Sequence, residues 1–295
     1  MSLKNILSGT GVAIITPFKN DESVDFESLG KVIDYIIEGE VNYIVSLGTT
    51  GETPVLDIEE KKKILNYTYE KVNGRVPIVV GVGGNNTNAV IAEMASLPLE
   101  NAIAILSASP NYNKPTQEGI YLHYKKIAEA APKPVILYNV PSRTGRNINA
   151  STITKLATEI PNIKGIKEAT DNMQQCMEIL KDCPEDFLIV SGDDALSCSQ
   201  IALGMDGVIS VAANCFPSHF SKMVSFAKAN QFKEARTIHY KLLKGYDYLF
   251  AENNPAGVKA FLFEQGLIEN YLRLPLTPVS DNLQIKIKDF LKDLK

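Results

Sequence analysis

With 295 residues, 45% of them hydrophobic and 22% charged, the chain has a globular composition and length enough for one barrel-sized domain or two ordinary ones. A net charge of -4, no long basic run and no tryptophan exclude a nucleic-acid or anionic-membrane surface built on basic and stacking side chains. No apolar run could span a bilayer and no signal segment is recognisable; Cys176, Cys183, Cys198 and Cys215 are too scattered for a CxxC motif, so a cytoplasmic protein with reduced thiols is expected.

From the N-terminus, short β-rich runs alternate with amphipathic helices. A strand over Val12–Ile15 ends at Thr16-Pro17, and apolar residues at Phe26, Leu29, Val32, Ile33, Ile36 and Ile37 predict a helix over Asp25–Ile37. A strand over Tyr43–Leu47 meets the turn Gly48-Thr49-Thr50-Gly51-Glu52, then a helix from about Asp57 to Val72. Its Lys61-Lys62-Lys63 run follows Glu59-Glu60 and reads as a solvated face. Strands over Pro77–Val82, Ala102–Leu106 and Val135–Tyr138 precede helices from Thr87, Gln117 and Ala150; those over Ile163–Thr170, Phe187–Val190 and Gly207–Val211 complete the series. About eight β/α units in some 215 residues is the spacing of a closed barrel. From Pro217 the alternation stops, and Phe220–Ala229, Phe232–Phe250, Pro255–Gln265 and Asn282–Leu294 read as helices. The fold expected is α/β, a (β/α)8 TIM barrel over 1–216 with an all-helical extension over 217–295.

Within this frame Lys167 is anomalous, because it lies in a strand that reads as buried. A lysine is rarely buried unless its ammonium is paired or its pKa falls. Strand alternation places Ile163, Gly165, Lys167 and Ala169 on one face, with Gly165 and Ala169 leaving room for a small ligand. A desolvated lysine deprotonates more readily, and a neutral amine attacks ketones to form Schiff bases. The plain structural alternative is a strand-end lysine paired with Glu168 or reaching solvent.

Barrel active sites sit at the C-terminal ends of the strands, and Lys167 has suitable neighbours there. The Gly48–Glu52 turn offers backbone N–H groups and two hydroxyls, a geometry suited to a small carboxylate; it also fits an ordinary βα turn. Tyr138, at a strand end, could relay protons, and Arg143 in the following loop could grip a second carboxylate, although singly each suits core and surface as well. Together they describe a site for two small acids. His123, His219 and His239 stand too far apart for a zinc site.

The motifs GTTGE, PNYNKPTQEG, LYNVPSRTG, GIKEAT, SGDD and GVISVAAN stand in order on successive strands. In them the chain, from Gly9 to about Pro278, resembles the dihydrodipicolinate synthase family of class I pyruvate aldolases. The resemblance implies condensation of pyruvate with L-aspartate 4-semialdehyde, an early step toward diaminopimelate and lysine, with no metal or soluble cofactor. By the same resemblance Lys167 forms the Schiff base, while Tyr138, Thr50 and Tyr112 make a hydroxyl relay in which Tyr112 reaches a neighbouring subunit's site. It likewise implies that Thr49 and Thr50 hold the pyruvate carboxylate, Arg143 holds the second substrate's, and Ile209 lines the site through its backbone. A homo-oligomer follows, a tetramer built as a dimer of tight dimers.

Two rival readings share these residues: another pyruvate aldolase such as N-acetylneuraminate lyase, or a catalytically silent keto-acid-binding barrel. Thr49 and Arg143 favour the synthase over the lyase, and an imine-forming lysine is superfluous in a silent binder. One departure bears on regulation. Ile58, Lys61, Ala89 and Asn111 stand where lysine-inhibited members of the family hold feedback lysine, and the first three lack acceptors for a bound ammonium, so weak or absent inhibition is expected.

Overall fold

A computed structural model describes residues 2–294, and in it eight parallel strands close on themselves. They are β1 (Gly9–Ala13), β2 (Tyr43–Ser46), β3 (Ile78–Gly81), β4 (Ala104–Ala108), β5 (Val135–Asn139), β6 (Ile163–Glu168), β7 (Leu188–Ser191) and β8 (Gly207–Ser210), the last pairing with β1. Helices follow the strands, so the expected (β/α)8 barrel is the fold. Apolar strands suit this architecture because both faces are covered, one by the barrel interior and one by helices.

Two packed regions result. Ala13, Tyr43, Val45, Val79, Ala104, Leu106, Ile136, Tyr138, Leu188, Val190 and Ile209 fill the barrel interior, with Leu7 and the short helix Leu3–Ile6 closing one end. Large and small residues alternate here: a Cβ on Gly11 would lie 2.2 Å from the ring of Tyr43 on the next strand. The alternate strand residues face the helices in a second, larger cluster.

Most elements lie where the sequence puts them, and the exceptions have physical causes. β1 begins and ends earlier than expected, because its partner β8 starts at Gly207 opposite Gly9, and at Ile15 the side chain of Asn214 accepts the N–H that a neighbouring strand would have taken. The turn after β2 does not feed a helix directly. It forms the 3-10 turn Thr49–Gly51, then a second over Thr53–Val55, and the helix starts at Ile58 behind a reciprocal Asp57–Glu60 cap. After β5 the chain makes a single unexpected helical turn, Pro141–Thr144, which carries Arg143.

The strand bearing Lys167 is the most informative exception. Val135 pairs with Ile163, but the next residue, Ile136, pairs with Gly165, so Lys164 is an extra, bulged residue. The bulge breaks strict alternation: Ile163 packs in the outer cluster with Ile166, on the opposite face from Lys167 rather than beside it. Nor does Gly165 leave room for a ligand, since a Cβ there would lie 2.8 Å from both Cβ and the carbonyl oxygen of Leu188.

The helix that opens the C-terminal segment, Pro217–Lys228, packs against β1 and the helix Phe26–Glu38 on one side and Phe232–Phe250 on the other. Helices Phe232–Phe250, Ala256–Glu264 and Asp281–Leu294 then pack on one another. Phe216, Phe261 and Phe290 meet edge to face where they join.

Candidate active site

At the C-terminal ends of the strands lies a cavity of about 1000 Å³. Its wall includes Thr49, Thr50, Tyr138, Arg143 and Lys167, so five of the seven residues singled out in the sequence line a single space. Lys167 is 4% exposed, and its Nζ lies 4.4 Å from the centroid of the Tyr138 ring. The two are direct register partners on β6 and β5. At this distance the π-face stabilises the cation and the phenol is close at hand. Among the described residues Lys167 has no carboxylate partner within ion-pair distance.

The pairing of Lys167 with Glu168 does not occur. Glu168, fully buried on the other face of β6, accepts from Asn139 Nδ2 at 3.0 Å and Gln175 Nε2 at 3.1 Å. Burial raises its pKa, and these hydrogen bonds oppose the rise. What makes room for the lysine is Gly192, immediately after β7: a Cβ there would stand 2.9 Å from Lys167 Cε and 2.5 Å from Ala169 Cβ. Glycine at this place is a requirement of close packing. Its only signal in the sequence is its position after a strand in SGDD.

The Thr49–Thr50 turn is shaped from both ends. Leu47 before it and Glu52 after it take positive φ, 57° and 54°, folding Gly48–Gly51 into one compact loop. Thr50 is buried and its Oγ1 accepts from Asn254 Nδ2 at 3.1 Å. Arg143, exposed on its short turn, donates from Nη2 to the Asn254 carbonyl at 3.3 Å and to Asn253 Oδ1 at 3.4 Å.

Tyr112 and Ile209 are not part of this wall. Tyr112 is 87% exposed with φ of 68°, and does not line its own chain's cavity. Ile209 is buried among the interior side chains opposite Gly11; the residue of that segment that reaches the cavity is Val211, two positions on. A strand residue two positions short of the rim turns its side chain into the barrel interior, so only its backbone is left for the lining role expected of it.

Three features of the wall have roles that the sequence does not assign. Asp194, buried at the rim, accepts from Ser210 Oγ at 2.6 Å and from the backbone N–H groups of Val211 and Ala212 at 3.1 and 2.8 Å, fixing the loop after β8. Burial pushes its carboxyl up to about 6, with Ser210 the main opposing contact. Asn254 arrives from the C-terminal helical segment, where Asn253-Asn254-Pro255 reads only as a helix start. Lys61 and Glu93 form an ion pair at 2.7 Å on the outer wall. A second cavity, about 680 Å³, lies among Tyr35, Phe216, Gln265 and Leu291, away from these residues.

With this geometry in place, the family model described as "Dihydrodipicolinate synthetase family" matches residues 6–294. A relative from Parabacteroides distasonis, named 4-hydroxy-tetrahydrodipicolinate synthase, is 49% identical over 288 residues, covering 98% of this chain and 97% of its own. Dihydrodipicolinate synthase from Acinetobacter baumannii, solved in complex with pyruvate, is 41% identical with a TM-score of 0.94 over 98% and 99% of the two chains. A solved monomeric variant of dihydrodipicolinate synthase is 37% identical with a TM-score of 0.96 over 99% and 98%.

Proposed function

The chain belongs to the dihydrodipicolinate synthetase family and catalyses the condensation of pyruvate with L-aspartate 4-semialdehyde, and from that premise we propose how its side chains divide the work. The single observation carrying the assignment is Lys167, buried without a carboxylate partner and lying over a phenol at the cavity floor. Lys167 Nζ, as the neutral amine, adds to the ketone carbon of pyruvate, and loss of water leaves an imine. The imine draws electrons from the methyl group, a proton leaves it, and the enamine carbon attacks the semialdehyde carbonyl, which becomes a hydroxyl. The amine of the adduct then adds to the imine carbon and expels Lys167, closing the ring.

Tyr138 carries protons in the imine-forming and ring-closing steps, and Thr50 takes part in the same relay. Thr49 and Thr50 hold the pyruvate carboxylate against the N–H groups of their turn, and Arg143 at the mouth grips the carboxylate of the semialdehyde. That the A. baumannii relative was solved in complex with pyruvate supports pyruvate as a ligand of this chain.

Tyr112 completes the relay in a neighbouring subunit, an assignment supported by its exposure and left-handed backbone. The protein then works as an oligomer, a tetramer built from tight dimers, in the cytoplasm. In the described residues no helix is long and apolar enough to cross a membrane. A monomeric dihydrodipicolinate synthase variant stands among the solved relatives, so sedimentation of this chain is the measurement that tests the assembly.

Borohydride reduction in the presence of pyruvate tests the core of the reading. Mass spectrometry should find one pyruvate-derived adduct on Lys167, and absence of any adduct would sink the assignment. Turnover of aspartate semialdehyde, and none of N-acetylneuraminate, is expected in parallel assays.

A further inference from the structure

Between the two C-terminal helices Phe232–Phe250 and Ala256–Glu264, the chain returns to the mouth of the barrel. Asn254 there is 4% exposed. Its side-chain Nδ2 donates to Thr50 Oγ1 at 3.1 Å, and its backbone carbonyl accepts from Arg143 at 3.3 Å. One residue of the helical segment therefore touches both the threonine turn after β2 and the arginine after β5.

Its position is held from both sides. The backbone N–H of Asn254 donates to Asn253 Oδ1 at 2.9 Å. Behind it, Lys259 of the following helix is fully buried, pairs with Glu52 at the end of the threonine turn, and donates to the Tyr271 carbonyl at 2.9 Å. That helix lies so close to its predecessor that a Cβ on Gly257 would stand 2.3 Å from the Leu249 carbonyl oxygen.

We propose that Asn254 is a positioning residue that sets the direction of the Thr50 hydroxyl, an inference resting on the reading of Thr50 as a member of the proton relay. A threonine hydroxyl has one hydrogen to give and lone pairs to accept with, whereas an amide N–H only donates. With Asn254 Nδ2 on a lone pair, Thr50 cannot give its hydrogen to that side. Among the described residues no other group takes it, so the hydrogen is directed into the cavity that Lys167 and Tyr138 line. An amide turned the other way would present Oδ1, capture the hydrogen and point the lone pairs at the substrate. The C-terminal segment thus decides the polarity of a group on the barrel.

Asn254→Asp imposes that opposite polarity, since a carboxylate accepts and cannot donate. Relative to the unsubstituted enzyme, the rate of imine trapping with pyruvate should fall about a hundredfold near neutral pH, with the pyruvate KM moving little. The deficit should shrink as pH falls and the new carboxyl regains a hydrogen. Asn254→Ala frees the hydroxyl without capturing it, and should lose about tenfold with no recovery in acid. Circular dichroism establishes that each variant is folded, and the alanine variant alone carries the test if the aspartate variant is not. A pH profile of Asn254→Asp parallel to that of the unsubstituted enzyme, a loss confined to KM, or an Asn254→Ala variant at full rate would overturn the proposal. Thr50→Val separates the two levels: if it too traps pyruvate at full rate, the relay reading fails and this inference with it; if it is crippled while Asn254→Asp and Asn254→Ala are not, only the inference fails.

Discussion

Lys167 and Tyr138 stand opposite one another on adjacent strands, and the ammonium of the first lies 4.4 Å from the ring centroid of the second. The ring's face and its hydroxyl do different jobs, one electrostatic and one protolytic. Tyr138→Phe keeps the face and removes the hydroxyl. It should leave stability nearly unchanged while lowering kcat by about a hundredfold, checked by steady-state assay and thermal unfolding. A loss of similar size in Tm-matched Tyr138→Leu alone, with the phenylalanine variant fully active, would assign the role to the face.

Gly192→Ala should damage the same lysine from behind. The added methyl would stand 2.9 Å from Lys167 Cε and 2.5 Å from Ala169 Cβ, closer than real Cβ contacts come. Overpacking of this kind costs about 1–3 kcal/mol and moves side chains off their rotamers. Slower pyruvate trapping and a lower unfolding midpoint should appear together.

The buried Lys259–Glu52 pair ties the last third of the chain to the threonine turn. Burial pushes the Lys259 ammonium down, and the Glu52 carboxylate opposes that shift. Lys259→Met leaves Glu52 buried without its partner and should cost about 3–5 kcal/mol by urea unfolding. The double variant Glu52→Gln with Lys259→Met should recover part of the loss, because no lone buried charge then remains.

Two buried groups give opposed pH dependences. Burial pushes His123 down to about 4 from an ordinary 6.5, so between those values the unfolded chain binds a proton the folded chain does not. Its contribution to stability therefore rises with pH through that window, by about 3 kcal/mol in all. Asp194, pushed up to about 6, has the reverse sign: the folded chain holds the extra proton from about 4 to 6, and stability falls as pH rises. Relative to the unsubstituted protein, His123→Asn should flatten the rise and Asp194→Asn the fall, read from urea midpoints at pH 4 to 7.

L-Lysine should inhibit weakly or not at all. Ile58 is apolar, Ala89 has no polar side chain and Lys61 is a cation already paired with Glu93, so none of the three offers an effector's ammonium a free acceptor. Half-inhibition by submillimolar lysine in the condensation assay would contradict this.

What the chain determined locally is the alternation of strands and helices, the caps at Asp57 and Asn86, and the presence of a lysine in a buried strand beside an acid-binding turn. These depend on residues a few positions apart, through periodicity, side-chain to backbone hydrogen bonds and turn chemistry. Tertiary structure alone decided which face Ile163 takes, because the bulge at Lys164 exists only in the pairing of β5 with β6. It also decided that Gly192, not Gly165, makes room for the lysine, and that Asn254 and Lys259 reach back about two hundred residues to Thr50 and Glu52. No local pattern encodes such meetings: they arise when the barrel closes and the end of the helix Phe232–Phe250, with the residues after it, comes to the cavity.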